Sequence, residues 1–531
     1  MKRFLLIVCV LLATAAILRS QPDSAPGGQV PRVVIGIVVE NMRPDYIYRY
    51  WNGFGEGGFK KLSAGGIRYD RFIMPLHILN PATGTATLFT GSYPAVHGIV
   101  DVTWYDRTKG EVTGCVDDPG CRTAGSPSSK GGVSPRQLRA SSLGDRLKIF
   151  HNGKAKVFSV AMNEAPAIFS AGYSGDAAYW YDPGSGNMVT SSWYRETLPG
   201  WATAFNARNL SANFSARNWV ILKSASDYGE SAEDNCPQEP GYGPGRNTFP
   251  HSMATLVKNA GNYAPLKTTP FANTLIREFA QELISQEEIG TDRFTDLVTL
   301  FFSSMDYENG NFGPASVEMQ DLYLRLDGEI AALISFAEEK FGKGNVLFFL
   351  TANSSAPYPV DYLKERFRFP AGRFSPENAV ALLNSYLNIT FGDLKWVEYN
   401  NGLQLYLNHK LIDLNKVDLN EIRKKTADFM AQFEGVRRVV TAAEARDGEM
   451  RTPFQDPIAN NWFENRSGDV MVELREGWQI SYKSKKSHYS GETHLPLFFY
   501  GTGTAAKVID EPLDATGFYP ALSTLLGMPP R

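Results

Sequence analysis

A strand–helix–strand unit in the middle of the chain constrains the fold more than any other feature. Residues 296–306 (DLVTLFFSSMD) and 346–350 (VLFFL) contain apolar runs rich in β-branched and aromatic residues, which are typical of strands buried on both faces. Between them, apolar residues recur at helical spacing from Met319 to Ala337, and Gly342 is a stop signal for the helix. Strand, helix and strand in this order predict a parallel sheet with helices on both faces.

A third apolar run, residues 33–39 (VVIGIVV), has a similar composition and predicts another buried parallel strand. We therefore expect an α/β fold with a large, doubly wound, mostly parallel sheet. In such sheets the functional groups lie at the carboxyl ends of the strands. Here those ends carry Glu40 and Asn41, Asp306, and the pair Asn353 and Ser354.

The chain of 531 residues is longer than one simple core usually holds, so we expect one large domain with inserted subdomains. A helix near residues 379–387, a hairpin turning at Asn401 and Gly402, and a helix starting at residue 419 predict a small α+β cap. The predicted units are a core in three parts (residues 31–150, 271–365 and 451–531), a loop-rich aromatic insert (151–270) and the α+β cap (366–450).

The N-terminus has the pattern of a secretory signal peptide over residues 1–20. Lys2 and Arg3 precede the apolar run FLLIVCVLLATAAIL, and small and polar residues follow it. This run is short for a membrane span and no later stretch approaches span length, so we expect a secreted or periplasmic protein with no transmembrane span after signal removal. The formal net charge of −3 argues against nucleic acid as a partner.

Three cysteines remain after the predicted signal peptide. Cys115 and Cys121 are close enough in sequence to close a small disulfide loop in an oxidising compartment, which would leave Cys236 over. The sequence does not determine the disulfide state of these residues, and their spacing is not that of a zinc knuckle.

Five ordered segments resemble the alkaline phosphatase superfamily, most closely the bacterial phosphate-irrepressible alkaline phosphatases and the type I phosphodiesterase/nucleotide pyrophosphatases. The segments are VVENMRPDY (38–46), FTGSYPAVHGI (89–99), SSMDYENGNFGP (303–314), THLPLFFYGTG (493–503) and ATGFYPALSTLLGMPP (515–530). The resemblance implies a large α/β fold of alkaline phosphatase type. It also implies chemistry with two zinc ions, a Thr or Ser nucleophile, and cationic or polar groups for the phosphoryl oxygens.

The metal-ligand positions implied by the resemblance have lost most of their ligands. The first aspartate corresponds to Glu40, a carboxylate one methylene longer, and the second is retained as Asp306. The remaining positions, which carry one Asp and three His in the family, hold Gly310, Asn353, Ser354 and Lys485. Because zinc affinity depends on deprotonated ligands in fixed geometry, we expect no zinc and no other cofactor. Glu40 and Asp306 are the candidate ligands if a metal does bind.

The nucleophile position implied by the resemblance, nine residues before the Thr of the TGS motif, is Pro81. Asn80 and Pro81 predict the N-cap and first residue of a helix, so the helix is kept while its reactive hydroxyl is absent. Thr83 lies nearby but out of register. The Lys-x-Arg pair that contacts phosphate in the closest relatives corresponds to Asn163 and Ala165.

Two features near the C-terminus have more than one interpretation. Lys485 either pairs with Glu40 and Asp306 in place of a metal or points to solvent. The run SYKSKKS (481–487) around it either attracts an anion or forms a solvated surface, which we favour.

Two further features raise the question of ligand binding. His488 and His494 either bind a metal together or, as we favour for His494, serve in packing or hydrogen bonding. The aromatic-rich stretch 179–194 either stacks on a sugar or base or, as we favour, packs in the core or a lid.

We predict a secreted, phosphatase-like protein that is catalytically inactive and has a binding, scaffolding or regulatory role. One alternative is an active metal-dependent phosphomonoesterase or phosphodiesterase, with a rearranged site that uses Glu40, Asp306, His488 and a Thr such as Thr83. A further alternative is an anion- or glycan-binding module that uses the same cleft. The sequence does not identify the partner, whether a protein or a phosphorylated or glycan ligand, nor the oligomeric state.

Overall fold

The protein is represented by a computed structural model, which describes residues 30–126, 131–243, 245–305, 312–447, 456–481 and 493–529. The strands, numbered in chain order, are β1 (Val33–Val39), β2 (Ile67–Ile73), β3 (Thr103–Asp106), β4 (Glu111–Gly114), β5 (Thr123–Ala124), β6 (Val157–Ala161), β7 (Ala177–Asp182), β8 (Asn187–Ser191), β9 (Asn218–Trp219), β10 (His251–Ser252), β11 (Asp296–Phe302), β12 (Val346–Thr351), β13 (Gly372–Phe374), β14 (Val397–Asn400), β15 (Gln404–Leu407), β16 (Val436–Thr441), β17 (Val470–Leu474), β18 (Trp478–Ile480), β19 (His494–Gly501), β20 (Lys507–Ile509) and β21 (Leu513–Asp514).

The α-helices, numbered in the same way, are α1 (Asp45–Arg49), α2 (Phe59–Gly65), α3 (Pro81–Thr90), α4 (Pro94–His97), α5 (Leu143–Phe150), α6 (Glu164–Ala171), α7 (Gly200–Asn206), α8 (Leu210–Ser215), α9 (Met253–Ala260), α10 (Pro270–Gln286), α11 (Val317–Phe341), α12 (Val360–Phe367), α13 (Pro376–Phe391), α14 (His409–Leu414), α15 (Leu419–Met430), α16 (Ala442–Asp447), α17 (Pro457–Asn461) and α18 (Phe518–Leu525). Short 3₁₀ helices cover Trp51–Gly53, Pro135–Gln137, Ala225–Tyr228, Ala264–Thr268, Lys343–Asn345 and Ala515–Gly517.

The predicted parallel strands form the centre of the largest sheet. β1 is parallel to β11 on one side and to β12 on the other, and all of its side chains are buried. Gly36 in β1 allows a close approach, since a Cβ there would lie 2.2 Å from Phe349 Cζ on β12. Helix α11 connects β11 with β12, so the predicted strand–helix–strand unit is confirmed.

Further strands extend this sheet on both sides. Its order is β20-β2-β19-β12-β1-β11-β6-β7-β8-β5, and β21 also pairs with β2. β6 and β7 continue the parallel part, whereas β19, β2, β8 and β5 join through antiparallel pairs. One large hydrophobic cluster joins the strands with surrounding helices, so the α/β fold class is confirmed.

The range 151–270, predicted as a loop-rich insert, contributes β6, β7 and β8 to this sheet. The sequence of β7, AAYWYD, is built from alanine and aromatic residues rather than branched aliphatic ones, yet its first five residues are buried. Tyr179 packs against Trp201 and Phe279, with ring centroids 5.7 and 5.1 Å away. Aromatic residues of this stretch therefore serve core packing, and the boundaries of the predicted units stay predictions.

A smaller sheet with the order β14-β15-β17-β16 carries its own hydrophobic cluster. Helices α13 and α15 contribute Leu383 and Ile422 to this cluster, where they join the buried Trp396. The hairpin predicted at Asn401 and Gly402 is formed by β14 and β15. β17, from Val470, joins this sheet from beyond the predicted end of the cap at residue 450.

The predicted signal peptide, residues 1–20, lies outside the described residues. In the part of the chain that the structure describes, no helix combines the length and the apolar character needed to cross a membrane. Cys115, Cys121 and Cys236 are free cysteines, and the Sγ of Cys121 donates to Oδ2 of Asp118 at 3.5 Å. The disulfide loop considered from the sequence is therefore not formed.

Candidate active site

A cavity of about 690 Å³ opens at the carboxyl ends of β1, β6 and β11. Its walls also include the start of α3, the β3–β4 hairpin and the 3₁₀ helix Ala264–Thr268. The sequence-predicted positions Glu40, Pro81, Asn163 and Ala165 all line it. We call this cavity the cleft.

A carboxylate and an ammonium group are joined in the cleft by one amide side chain. Glu40 is buried, and its Oε2 accepts a hydrogen bond from Nδ2 of Asn163 at 3.0 Å. Lys267 Nζ donates to Oδ1 of the same amide. The amide of Asn163 is thereby oriented with its donor end on the carboxylate and its acceptor end on the ammonium.

The segment that carries Lys267 is fastened to the end of β11. Ser303 Oγ donates to the backbone carbonyl of Lys267. Asn273 of α10 in turn holds the backbone of Ser303, whose N–H donates to Asn273 Oδ1 at 2.7 Å, while Asn273 Nδ2 donates to Ser303 O at 2.9 Å. Burial lowers the pKa of Lys267, and the nearby charges of Glu164 and Glu40 oppose that shift.

The nucleophile position of the family is occupied by a helix start. Pro81 is the first residue of α3, and Asn80 caps it by accepting from the N–H groups of Ala82 and Thr83, both at 3.1 Å. Thr83 Oγ1 accepts from the N–H of Asn80 at 3.1 Å and donates to Ile78 O at 2.9 Å. The hydroxyl of Thr83 is fully buried and belongs to the helix cap, so it is not available as a displaced nucleophile.

The polar turn after β12 serves as a joint between neighbouring elements. Asn353 Nδ2 donates to Thr85 Oγ1 on α3 at 3.0 Å. Ser354 Oγ donates to Asn41 Oδ1 at 2.8 Å and accepts from the N–H of Asn41 at 3.2 Å. Gly84 permits this contact, because a Cβ there would lie 1.7 Å from Asn353 O. The family's Asp-His position thus holds the end of β1 and the start of α3 together.

The described residues do not fit the two-zinc centre that the resemblance implies. Among them, no group of three or more His, Cys, Asp or Glu side chains is arranged to hold a metal ion. The amide of Asn353 and the hydroxyl of Ser354 are engaged with α3 and Asn41, and neither is an anionic or imidazole ligand. Asp306, Gly310, Lys485 and His488 lie outside the described residues.

Two other predicted features lie away from the cleft or beyond the described part. His494 begins β19 in register with Ile73, is exposed, and is not part of the wall of the cleft. Ser481 is the only residue of the run 481–487 that falls within the described ranges. The possible Lys485 pairing with Glu40 and Asp306 therefore stays a prediction.

Sequence reasoning missed Lys267 and Ser303, which also line the cleft. Lys267 lies in the stretch APLKTTP, which matches no catalytic motif and has no periodic pattern. Its role depends on a contact across 104 positions of the chain, to Asn163. The one available signal is Asn163 itself. The resemblance implies a cation at this position, so its absence points to a lysine or arginine from another segment.

The family described as type I phosphodiesterase/nucleotide pyrophosphatase matches residues 34–496. The chain is a member of this family. Alkaline phosphatase PafA of Elizabethkingia meningoseptica is 32% identical over 503 residues, which are 93% of this chain and 91% of that protein. Alkaline phosphatase PhoV of Synechococcus elongatus is 31% identical over 93% of this chain and 90% of its own length. The crystal structure of wild-type alkaline phosphatase PafA aligns with a TM-score of 0.88 at 31% identity, covering 94% of this chain and 96% of that one. These matches place the chain in the alkaline phosphatase superfamily, and the alkaline phosphatase type of the fold is confirmed.

The prediction that this family member is catalytically inactive is wrong by this comparison. It rested on the lost ligand positions and on Pro81, whereas relatives that span nearly the whole chain are named alkaline phosphatases. Loss of the family's ligands has not left the cleft without charged groups, because Glu40, Asn163 and Lys267 form a connected set in it. The alternative of a phosphoric-ester hydrolase with a rearranged site is better supported, although Thr83 is not its nucleophile.

Proposed function

We propose that the chain hydrolyses phosphoric esters in the cleft, with a rearranged set of catalytic groups. The observation that carries the proposal is the carboxylate of Glu40 linked through Asn163 to the ammonium of Lys267, at the carboxyl end of a parallel sheet. A base and a cation are the two charged groups that such a hydrolysis needs. The relatives named alkaline phosphatases support the reaction class.

The cation stabilises charge on the reacting phosphoryl group. In phosphoryl transfer, negative charge is spread over the oxygens that do not react, and catalysis depends on positioning and electrostatic stabilisation. Lys267 lines the cleft and is held from two sides, by Asn163 at its ammonium and by Ser303 at its backbone. Such a fixed donor needs little reorganisation when the charge develops.

The base activates water. Glu40 takes a proton from a water molecule in the cleft while the oxygen of that water forms a bond to phosphorus. The bond between phosphorus and the ester oxygen breaks, the leaving oxygen takes up a proton from solvent, and Glu40 releases its proton to solvent. The products are an alcohol and phosphate from a monoester, or an alcohol and a monoester from a diester.

The proline at the family's nucleophile position decides the number of displacements. Pro81 has no hydroxyl, and the neighbouring Thr83 hydroxyl is buried in the helix cap. Water therefore attacks the substrate directly, in one displacement that inverts the configuration at phosphorus.

We also propose that the protein is exported to the periplasm or secreted, on the basis of the signal-like pattern of residues 1–20. N-terminal sequencing of the exported protein would find a start near residue 21. A start at Met1 in a cytoplasmic fraction would contradict export.

Turnover of p-nitrophenyl phosphate and bis-p-nitrophenyl phosphate by the full chain tests the proposed function. We expect hydrolysis that survives treatment with a chelator and falls about 10²- to 10⁴-fold in Glu40→Gln, the usual contribution of a general base. The matched control is Glu434→Gln, which removes an exposed carboxylate and is expected to leave the rate unchanged. Release of p-nitrophenol no faster than in buffer, with either substrate and with or without zinc, would contradict the proposal.

A further inference from the structure

The ammonium of Lys267 has more donors than the protein uses. It carries three N–H groups, and within the described part of the chain its hydrogen bond goes to a single acceptor, Asn163 Oδ1. Its side chain lies in the wall of the cleft and is only partly exposed. A partly buried cation with spare donors beside a cavity is poised for an anionic ligand.

The ammonium of Lys267 contacts the side chain at a position where the resemblance implies a cation. The resemblance implies a phosphate-contacting lysine at residue 163, where this chain has Asn163. The side chain of Asn163 accepts the hydrogen bond of Lys267, so a positive charge from a different segment lies beside residue 163. The lysine that is lost at position 163 is therefore matched by the lysine that is present at position 267.

The surroundings hold Lys267 in place without saturating it. Its backbone carbonyl is fixed by Ser303, and Asn273 fixes the backbone of Ser303. Glu40 is held by the other end of the Asn163 amide. Helix α6 begins next to Asn163, and Glu164 in its first turn also lines the cleft, so Lys267 is a cation among neighbouring carboxylates.

We propose that Lys267 is the residue that binds the phosphoryl oxygens in this cleft, and that it replaces a lysine lost from position 163. The ligand class is an anion with phosphate chemistry, either a phosphoric ester or inorganic phosphate. The catalytic part of this assignment rests on the proposed function, whereas the binding part is measured without turnover.

The test measures binding of inorganic phosphate by calorimetry to the full chain and to three sets of variants. Lys267→Gln removes the charge and keeps an amide that can donate to Asn163; we expect about 10- to 100-fold weaker binding, as for a lost charge-assisted hydrogen bond. The exchange variant combines Asn163→Lys with Lys267→Asn. We expect its phosphate affinity to lie within about threefold of the wild-type value, a much smaller difference than the loss in Lys267→Gln. Lys258→Ala, which removes an exposed lysine on α9, serves as the matched control and is expected to bind like wild type.

Each outcome separates the binding assignment from the proposed function. Equal phosphate affinity of wild type and Lys267→Gln, or the absence of binding to wild type, would overturn the assignment. Failure of the exchange variant to recover affinity, with its thermal unfolding midpoint unchanged, would overturn the replacement of residue 163 by Lys267. Phosphate binding that depends on Lys267 without any ester turnover would contradict the proposed function and leave the binding assignment intact.

Discussion

Two clusters of buried charged side chains use their hydrogen-bonding groups in opposite ways. In the smaller sheet, the fully buried Asp469 accepts from Arg107 Nη2 at 2.9 Å, from Arg423 Nη2 at 2.6 Å and from the N–H of Leu407 at 2.9 Å, and it lies 2.9 Å from His409 Nε2. Burial raises the pKa of Asp469, but the hydrogen bond from His409 and the charges of Arg107, His409 and Arg423 hold it well below its usual range.

The cleft has the opposite balance. Lys267 uses one acceptor, Asn163, and leaves donors beside a cavity of about 690 Å³. A saturated charge such as Asp469 is a structural joint, since any further ligand would have to displace protein groups. A held but unsaturated charge such as Lys267 is a binding group. The number of partners, rather than burial or charge alone, distinguishes the two roles.

Removal of Asp469 gives the largest expected change in stability. Asp469→Ala leaves Arg107 and Arg423 without their shared carboxylate in a partly buried place, so we expect the free energy of unfolding to fall by about 3–5 kcal/mol. Urea unfolding followed by circular dichroism measures this change. Asp413→Asn, which alters an exposed carboxylate of α14, is the control and is expected to unfold like wild type. An Asp469→Ala variant as stable as the control would contradict the structural role that we assign to a charge whose hydrogen-bonding groups are all used.

A third buried cluster, formed by Glu318 and His251, differs from both because its two side chains are neutral. Glu318 is fully buried, and its Oε1 lies 2.7 Å from Nε2 of His251. Burial raises the pKa of Glu318 to about 9, with a further contribution from Asp234 and Asp321, and burial lowers the pKa of His251 to about 4. At neutral pH the protonated Glu318 therefore donates to the neutral His251.

This arrangement predicts a stability that depends on pH. Because the pKa of Glu318 is higher in the folded protein than its ordinary value of 4.5, its contribution is complete below that value and is lost as the pH rises through about 9. Glu318→Gln removes the ionisation and keeps a donor for His251. We expect the variant to gain about 1 kcal/mol or more over wild type between about pH 5 and pH 9. Thermal unfolding at both pH values measures the gain, and a difference that is the same at both would contradict it.

The smallest expected effect comes from Thr83, whose hydroxyl is saturated within the helix cap. Thr83→Ala removes one half of the reciprocal cap of α3, so we expect a loss of about 1 kcal/mol in unfolding free energy. Turnover of p-nitrophenyl phosphate is expected to match that of wild type, and Thr83→Ser to restore stability. A large loss of turnover in the alanine variant would identify Thr83 as a nucleophile after all.

The sequence predicts the fold well where its pattern is local. The run from Val33 to Val39 is continuously apolar, and the helix that follows β11 has regular spacing and a Gly stop signal, so both elements are found as predicted. Asn80 and Pro81 have the composition of a helix start, and they form one. The strand β7 was missed because it begins with two alanines, which are poor strand formers, and lies in a stretch rich in Gly and Asn without clear periodicity.

The candidate site was predictable only in part, because its contacts join distant segments. Glu40 and Asn163 were found from strand ends and from the family resemblance, and the structure brings them to within 3.0 Å. Lys267 carries no sequence signal, since its meaning depends on the amide of Asn163 across the fold. The role of Thr83 could not be predicted either, because the residue type alone does not tell whether a threonine hydroxyl caps a helix or acts in a catalytic site.

The stereochemical course of hydrolysis tests the central claim most directly. A P-chiral aryl phosphorothioate is hydrolysed by the full chain in isotopically labelled water, and the configuration of the product at phosphorus is determined. Direct attack of water beside Pro81 predicts inversion. Retention of configuration would require a covalent phosphoryl-enzyme and a nucleophile elsewhere in the cleft, and it would contradict this account.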